Sequence, residues 1–192
     1  RMLAYSSISH AGFIMAALAL DTTEGNTAIF LYYALFMFTN LGAFTMLWIS
    51  RHKERRFDKR YDHPYEKFAG LIGIMPMGAV VMGLFMFSLA GVPPFSVFWG
   101  KIYVMQAAVN AGYIWLAIVM GLNSAIAAYY YLKLVVYMFL KDPVKDVDVV
   151  YYNINRPLMV IVGFATVATV AAIFYVQQLV SYLYYMISAS GY

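Results

Sequence analysis

No carboxylate interrupts the long apolar runs of this chain. All nine Asp and Glu residues lie in the polar stretches between runs, and of thirteen Lys and Arg only Lys101 and Lys133 fall inside one. The runs cover residues 2–20, 28–50, 68–92, 95–111, 113–140 and 157–187. A helix needs roughly 20 apolar residues to cross about 30 Å of hydrocarbon. Backbone in lipid must satisfy its own hydrogen bonds, which favours helices as the spanning element. The chain is therefore expected to be all-α, a polytopic transmembrane helix bundle forming one domain over residues 1–192. Charged residues make up 11% of the chain, against about 25% in a soluble domain. That excludes a disordered chain, a nucleic-acid module and most soluble enzymes.

The number of crossings turns on Pro93-Pro94, which separates runs 68–92 and 95–111. Seven of the thirteen Lys and Arg cluster in residues 51–67, a basic loop expected on the cytoplasmic side. If the two runs are halves of one interrupted crossing, Arg1, Lys141, Lys145 and Arg156 share that side, and the acidic turn at 21–27 lies opposite. The positive-inside rule favours this arrangement, with five crossings. Two consecutive prolines remove two backbone donors and crowd the preceding turn. Such breaks occur where an ion or proton path passes, with half-helix ends aimed at it. A tight turn between two ordinary hairpin helices is the alternative. The chain opens on Arg1 with no cleavable leader pattern, so it is expected to be the later part of something longer.

The two intramembrane lysines carry the strongest functional signal. A cation at the bilayer centre costs about 2.5 kcal/mol or more, so it usually faces a bundle interior or a hydrated cavity. Lys101 sits seven residues after Pro94, about 10 Å along a helix. Burial there disfavours the charged form, which suits a group that loads and releases a proton; snorkelling to an interface is the other reading. Lys133 lies seven residues before the end of its run, where snorkelling comes first and proton uptake or release second.

Ser6 and His10 are four apart and share one helix face, with Ser7 and Ser9 nearby. Imidazole suits a proton relay, but Ser, His and Asn also bond packed membrane helices to one another. The same two readings apply to Asn40, Asn123, Ser124, Gln177 and Gln178. Tyr129, Tyr130 and Tyr131 fit either an aromatic belt or a hydrated path. Gly73, Gly78 and Gly83 are expected to form a packing face. There is no cysteine, no glycine-rich phosphate loop and no metal-ligand spacing among His10, His52 and His63, so no metal or cofactor is expected in this chain.

Three segments resemble a known family. Arg1-Met2-Leu3-Ala4-Tyr5-Ser6-Ser7-Ile8-Ser9-His10-Ala11-Gly12-Phe13 is similar to the signature of antiporter-like proton-pumping subunits. Ser88-Leu89-Ala90-Gly91-Val92-Pro93-Pro94 with Phe98-Trp99-Gly100-Lys101 resembles their interrupted helix and its lysine. Asn123-Ser124 with Ala128-Tyr129-Tyr130-Tyr131-Leu132-Lys133 resembles the helix that follows. Within the family, a lysine rather than a glutamate at position 101 separates this chain from branch M. The resemblance also implies a difference from branch L, which is expected to carry a long extension beyond the position of Tyr192. Branch N of respiratory complex I is left as the nearest.

The resemblance implies a C-terminal part of a membrane subunit of NADH–quinone oxidoreductase in a bacterial inner membrane. NADH, FMN, iron–sulfur clusters and quinone are then bound by other subunits. Its partners would be subunit M and the small membrane subunits of types K, J and A, with lipid around them and no nucleic acid. Lys101 would be the proton carrier of the second inverted repeat, His10 would lie on a hydrated axis, and Ser6, Ser7, Asn123, Ser124 and Tyr130 are path candidates. The family's first-repeat glutamate and lysines would precede Arg1. A multi-subunit Na+/H+ antiporter subunit and an inert membrane scaffold are the competing readings.

Overall fold

The computed structural model describes residues 2–50, 64–143 and 155–190. The basic residues of 51–63 and Lys145 therefore lie outside the described residues, as does Arg1. The described chain is helical: α1 (Met2–Leu18), α2 (Thr23–Ile49), a 3-10 turn (Pro64–Phe68), α3 (Leu71–Ile74), α4 (Pro76–Ala90), α5 (Ser96–Asn110), α6 (Ile114–Leu140) and α7 (Arg156–Ala189). Among the described residues, α2, α6 and α7 are each long and apolar enough to cross a membrane alone.

Helix ends follow local chemistry. The polar stretch 21–27 is mostly helix rather than turn, because Thr22 caps α2 by accepting the Gly25 N–H at 3.0 Å. Gly25 also lets the α1–α2 corner close, since a Cβ there would fall 2.9 Å from the Ala17 carbonyl oxygen. The run 68–92 is not one helix. Pro76 lacks an N–H and disfavours helical backbone at Met75, so α3 ends and α4 begins there. Nor do Gly73, Gly78 and Gly83 make one face, because a five-residue step turns about 140° around a helix. Gly83 meets Phe139, Gly78 meets Met75, and Gly73 is open.

With 15 residues each, α4 and α5 reach only about 22 Å, too short to span separately. Two contacts locate the two ends of the pair. At the start, Gly70 N–H donates to the Tyr137 carbonyl near the end of α6 at 3.2 Å. At the far end, Asn110 Nδ2 donates to Glu24 Oε2 at the start of α2, at 2.7 Å. The pair therefore runs from one side of the bundle to the other.

The bundle packs in two main apolar clusters. One joins α1, α2, α4, α6 and α7 around Phe85, Met82, Met86 and Leu134. The other joins α1, α2, α5 and α6 around Phe13, Tyr32, Val97 and Val104. Phe85 enters the first by filling the space over Gly42, where a Cβ would fall 2.2 Å from its Cζ. Outward faces carry large apolar side chains such as Trp115, Met77, Phe174 and Leu140. Water would penalise that surface and hydrocarbon would not.

Candidate functional site

The interruption between α4 and α5 is built from glycine and proline chemistry. Gly91 ends α4 in the left-handed region at φ 82°, its N–H bonding to Ser88 O at 3.0 Å and that of Val92 to Phe87 O at 3.1 Å. Only glycine enters that conformation without penalty. Pro93-Pro94, joined by a cis bond, then carries the chain to α5.

Lys101, on α5, reaches back across this break and is 3% exposed. Its Nζ donates to Leu89 O at 3.2 Å, Ala90 O at 3.0 Å and Ser124 Oγ at 3.0 Å. Three acceptors match the three protons of an ammonium group. Two of them are last-turn carbonyls of α4, where the helix dipole favours a cation. The room for this contact comes from Gly91, since a Cβ there would fall 2.9 Å from Nζ. Lys101 Nζ also lies 5.8 Å from the Phe13 ring centroid. No Asp or Glu among the described residues is buried.

A second buried polar group centres on His10 of α1. Nδ1 lies 2.6 Å from Tyr32 Oη on α2, and Nε2 lies 3.1 Å from Tyr131 Oη on α6. Tyr131 Oη also hydrogen-bonds Ser6 Oγ. The imidazole stacks on Phe36 at 4.5 Å, which fixes its plane. Beside the break, four hydroxyls meet: Thr39 of α2, Ser88 of α4, Ser96 of α5 and Thr169 of α7. All four are buried.

The other residues singled out in the sequence fall elsewhere. Asn123 is exposed and donates to Ser9 Oγ at 2.9 Å. Ser7 bonds only its own helix at Leu3 O, 3.0 Å away. Tyr130 packs against Tyr131 at 4.7 Å and, with Ser9 and Asn123, lines a groove of about 750 Å³ that Tyr65 and Phe68 also border. Lys133, half-buried, sits 5.4 Å from the Tyr65 ring. Among the described residues no three His, Cys, Asp or Glu could hold a metal. Sequence reasoning passes over Tyr32 and Thr39 and names Phe13 and Ser88 only as members of longer segments; Ser88 and Ser96 had a usable signal, since they flank the prolines.

Residues 1–127 match the family described as NADH:quinone oxidoreductase/Mrp antiporter, transmembrane. The chain belongs to that family. The matched stretch of this NADH:quinone oxidoreductase/Mrp antiporter family includes His10, the break, Lys101 and Ser124. NADH-quinone oxidoreductase subunit N of Sulfurovum sp. strain NBC37-1 is 85% identical over 192 residues, all of this chain and 39% of that protein. Subunit N of Sulfurimonas denitrificans is 54% identical, again over 39% of its length. The chain thus spans about two fifths of the curated relatives it matches. Among solved structures, a chain of respiratory complex I from Thermus thermophilus is 27% identical with a TM-score of 0.75, covering 93% of this chain and 38% of that one. A chain of the Mrp complex from a Dietzia species has a TM-score of 0.78 at 23% identity, covering 97% of this chain and 41% of that one.

Proposed function

We propose that this chain supplies the second half of the proton path in a membrane subunit of NADH–quinone oxidoreductase, in a bacterial inner membrane with residues 51–67 on the cytoplasmic side. Quinone reduction in other subunits, which hold the FMN and iron–sulfur clusters, drives proton movement here. The membrane-arm subunits of that complex are its partners. Lys101 takes up and releases the proton, with His10 as a relay; Lys133 stands at the basic-loop side.

The observation that carries this reading is Lys101 itself, buried among three acceptors in a broken membrane helix with no buried carboxylate among the described residues. An ammonium group there has one acceptor per proton. A neutral amine keeps two N–H bonds for the Leu89 and Ala90 carbonyls, and its lone pair can accept the Ser124 O–H once that hydroxyl turns round. The two states are therefore both hydrogen-bonded and differ in the charge set against the C-terminal end of α4. A shift in the local field of a few kcal/mol then decides which state holds.

The test is Lys101→Ala in the assembled complex, in vesicles, with proton uptake and NADH oxidation followed together. Loss of proton uptake supports the reading. Full uptake with intact assembly removes Lys101 from the path. Likeness to the Mrp chain bears on the fold alone, and Na+-driven proton exchange by the same vesicles without NADH would favour the antiporter reading.

A further inference from the structure

Four polar side chains from three helices form one unbroken hydrogen-bonded series: Ser6, Tyr131, His10 and Tyr32. All four are almost fully enclosed, with exposures of 2% for Ser6, 3% for His10 and 0% for each tyrosine. We propose that Tyr131 and Tyr32 are relay residues on either side of His10, completing a proton wire from the Ser9–Asn123–Tyr130 groove toward Lys101. The proposal rests on the reading of Lys101 as the proton carrier.

Proton counting supports a wire. A neutral imidazole has one N–H and one bare nitrogen, and each hydroxyl has one proton and can also accept. In one arrangement Ser6 donates to Tyr131, Tyr131 donates to Nε2, and Nδ1–H donates to Tyr32. In the other, Tyr32 donates to Nδ1, Nε2–H donates to Tyr131, and Tyr131 donates to Ser6. Take the first arrangement. A proton arriving on the Ser6 oxygen lets the Ser6 proton pass to Tyr131, the Tyr131 proton pass to Nε2 and the Nδ1 proton pass to Tyr32, whose own proton leaves. One O–H or N–H bond breaks and one forms at each step. One proton enters, one leaves, and the chain is left in its starting composition with the histidine in its other tautomer.

The two ends are placed for this traffic. Tyr131 and Ser6 adjoin residues that line the groove: Leu3, Tyr5, Ser9 and Tyr130. That groove is bordered by Tyr65 and Phe68, on the side of the bundle where the 3-10 turn lies. The Tyr32 ring packs directly on Gly100, where a Cβ would fall 2.7 Å from its Cδ2, and Gly100 precedes Lys101. Tyr32 also stacks on Phe13 at 5.7 Å, the ring that lies 5.8 Å from Lys101 Nζ. The series thus lies between residues adjoining the groove lining and the segment bearing the lysine, with ring packing rather than a hydrogen bond at the lysine end.

The competing role is interhelical glue. Tyr131→Phe and Tyr32→Phe each remove one oxygen and keep the ring, and Ser6→Thr against Ser6→Val compares two side chains of one shape that differ in the hydroxyl. Each is assayed in the whole complex, in vesicles, for protons moved per NADH oxidised and for assembly, with Lys101→Ala alongside. The wire requires that both phenylalanine variants and Ser6→Val lower proton movement about tenfold, while Ser6→Thr keeps it. Assembled variants that all pump at the parent ratio overturn the wire. If they do so while Lys101→Ala fails to pump, the wire alone falls. If Lys101→Ala also pumps fully, the reading of Lys101 falls with it. Should Tyr131→Phe not assemble, the Ser6 pair decides.

Discussion

Lys101 occupies the space that any side chain at Gly91 would need. The glycine lies at φ 82°, and a Cβ added to it would fall 2.9 Å from Nζ and 3.0 Å from Cδ of the lysine. Two demands thus meet at one residue: the backbone turn that ends α4, and the seat of the buried cation. Gly91→Ala should cost about 1–2 kcal/mol from backbone strain alone. It should also push the ammonium away from Leu89 O and Ala90 O. Proton uptake by the assembled complex is expected to fall, and thermal unfolding in detergent to start earlier.

Lys101→Arg tests charge against titration. Guanidinium keeps its charge at all accessible pH values and offers a fork rather than a point donor. The variant is expected to assemble, because the carbonyls of α4 keep a cationic donor. Proton movement should fall by about tenfold or more. Measuring protons per NADH alongside complex yield separates the two effects.

Gly42→Ala probes packing away from the polar groups. The new Cβ would lie 2.2 Å from Phe85 Cζ, so the ring or the α2–α4 spacing must move. Overpacking of this kind costs about 1–3 kcal/mol. Thermal unfolding should show the loss, and Phe85→Leu added to Gly42→Ala should restore part of it.

The all-helical membrane bundle and the proline break are legible in the sequence because lipid imposes a length and forbids stray charges. Lys101 and His10 stand out for the same reason, as polar groups in apolar surroundings, and both are buried. The break at Pro76 is hidden by the apolar residues around it, although proline alone carries the signal. Tyr32 and Tyr131 are another matter. Eighteen tyrosines in the chain have one chemistry, and only the packing of α1, α2 and α6 decides which two meet the imidazole. Lys101 is placed by sequence spacing about 10 Å beyond the prolines, yet its side chain returns to the end of α4, a contact between residues 12 apart that only the folded break creates.

Lys133→Met should be mild. Its ammonium lies 5.4 Å from the Tyr65 ring on a half-buried surface, an arrangement worth about 0.5–1 kcal/mol. Proton movement is expected to stay within about twofold of the parent, since no hydrogen bond to the buried series is lost. A tenfold fall in vesicles would instead place Lys133 on the proton route.

Thr39→Val removes the hydroxyl that donates to Leu35 O at 2.9 Å and stands within 3.4 Å of Ser88, Ser96 and Thr169. Loss of that hub should cost about 1 kcal/mol or more, while Thr39→Ser should be close to neutral. Thermal unfolding of the two variants, side by side, checks the difference.

The bond between Ser88 and Ser96, 3.1 Å long, joins the last turn of one half-helix to the first turn of the next. With Thr39 and Thr169 it forms a four-hydroxyl cluster across the interruption, so the two half-helices are tied there to each other and to α2 and α7 by side chains as well as by the chain itself. On the proposed reading of Lys101, the proton carrier thus reaches across a junction that is pinned beside it.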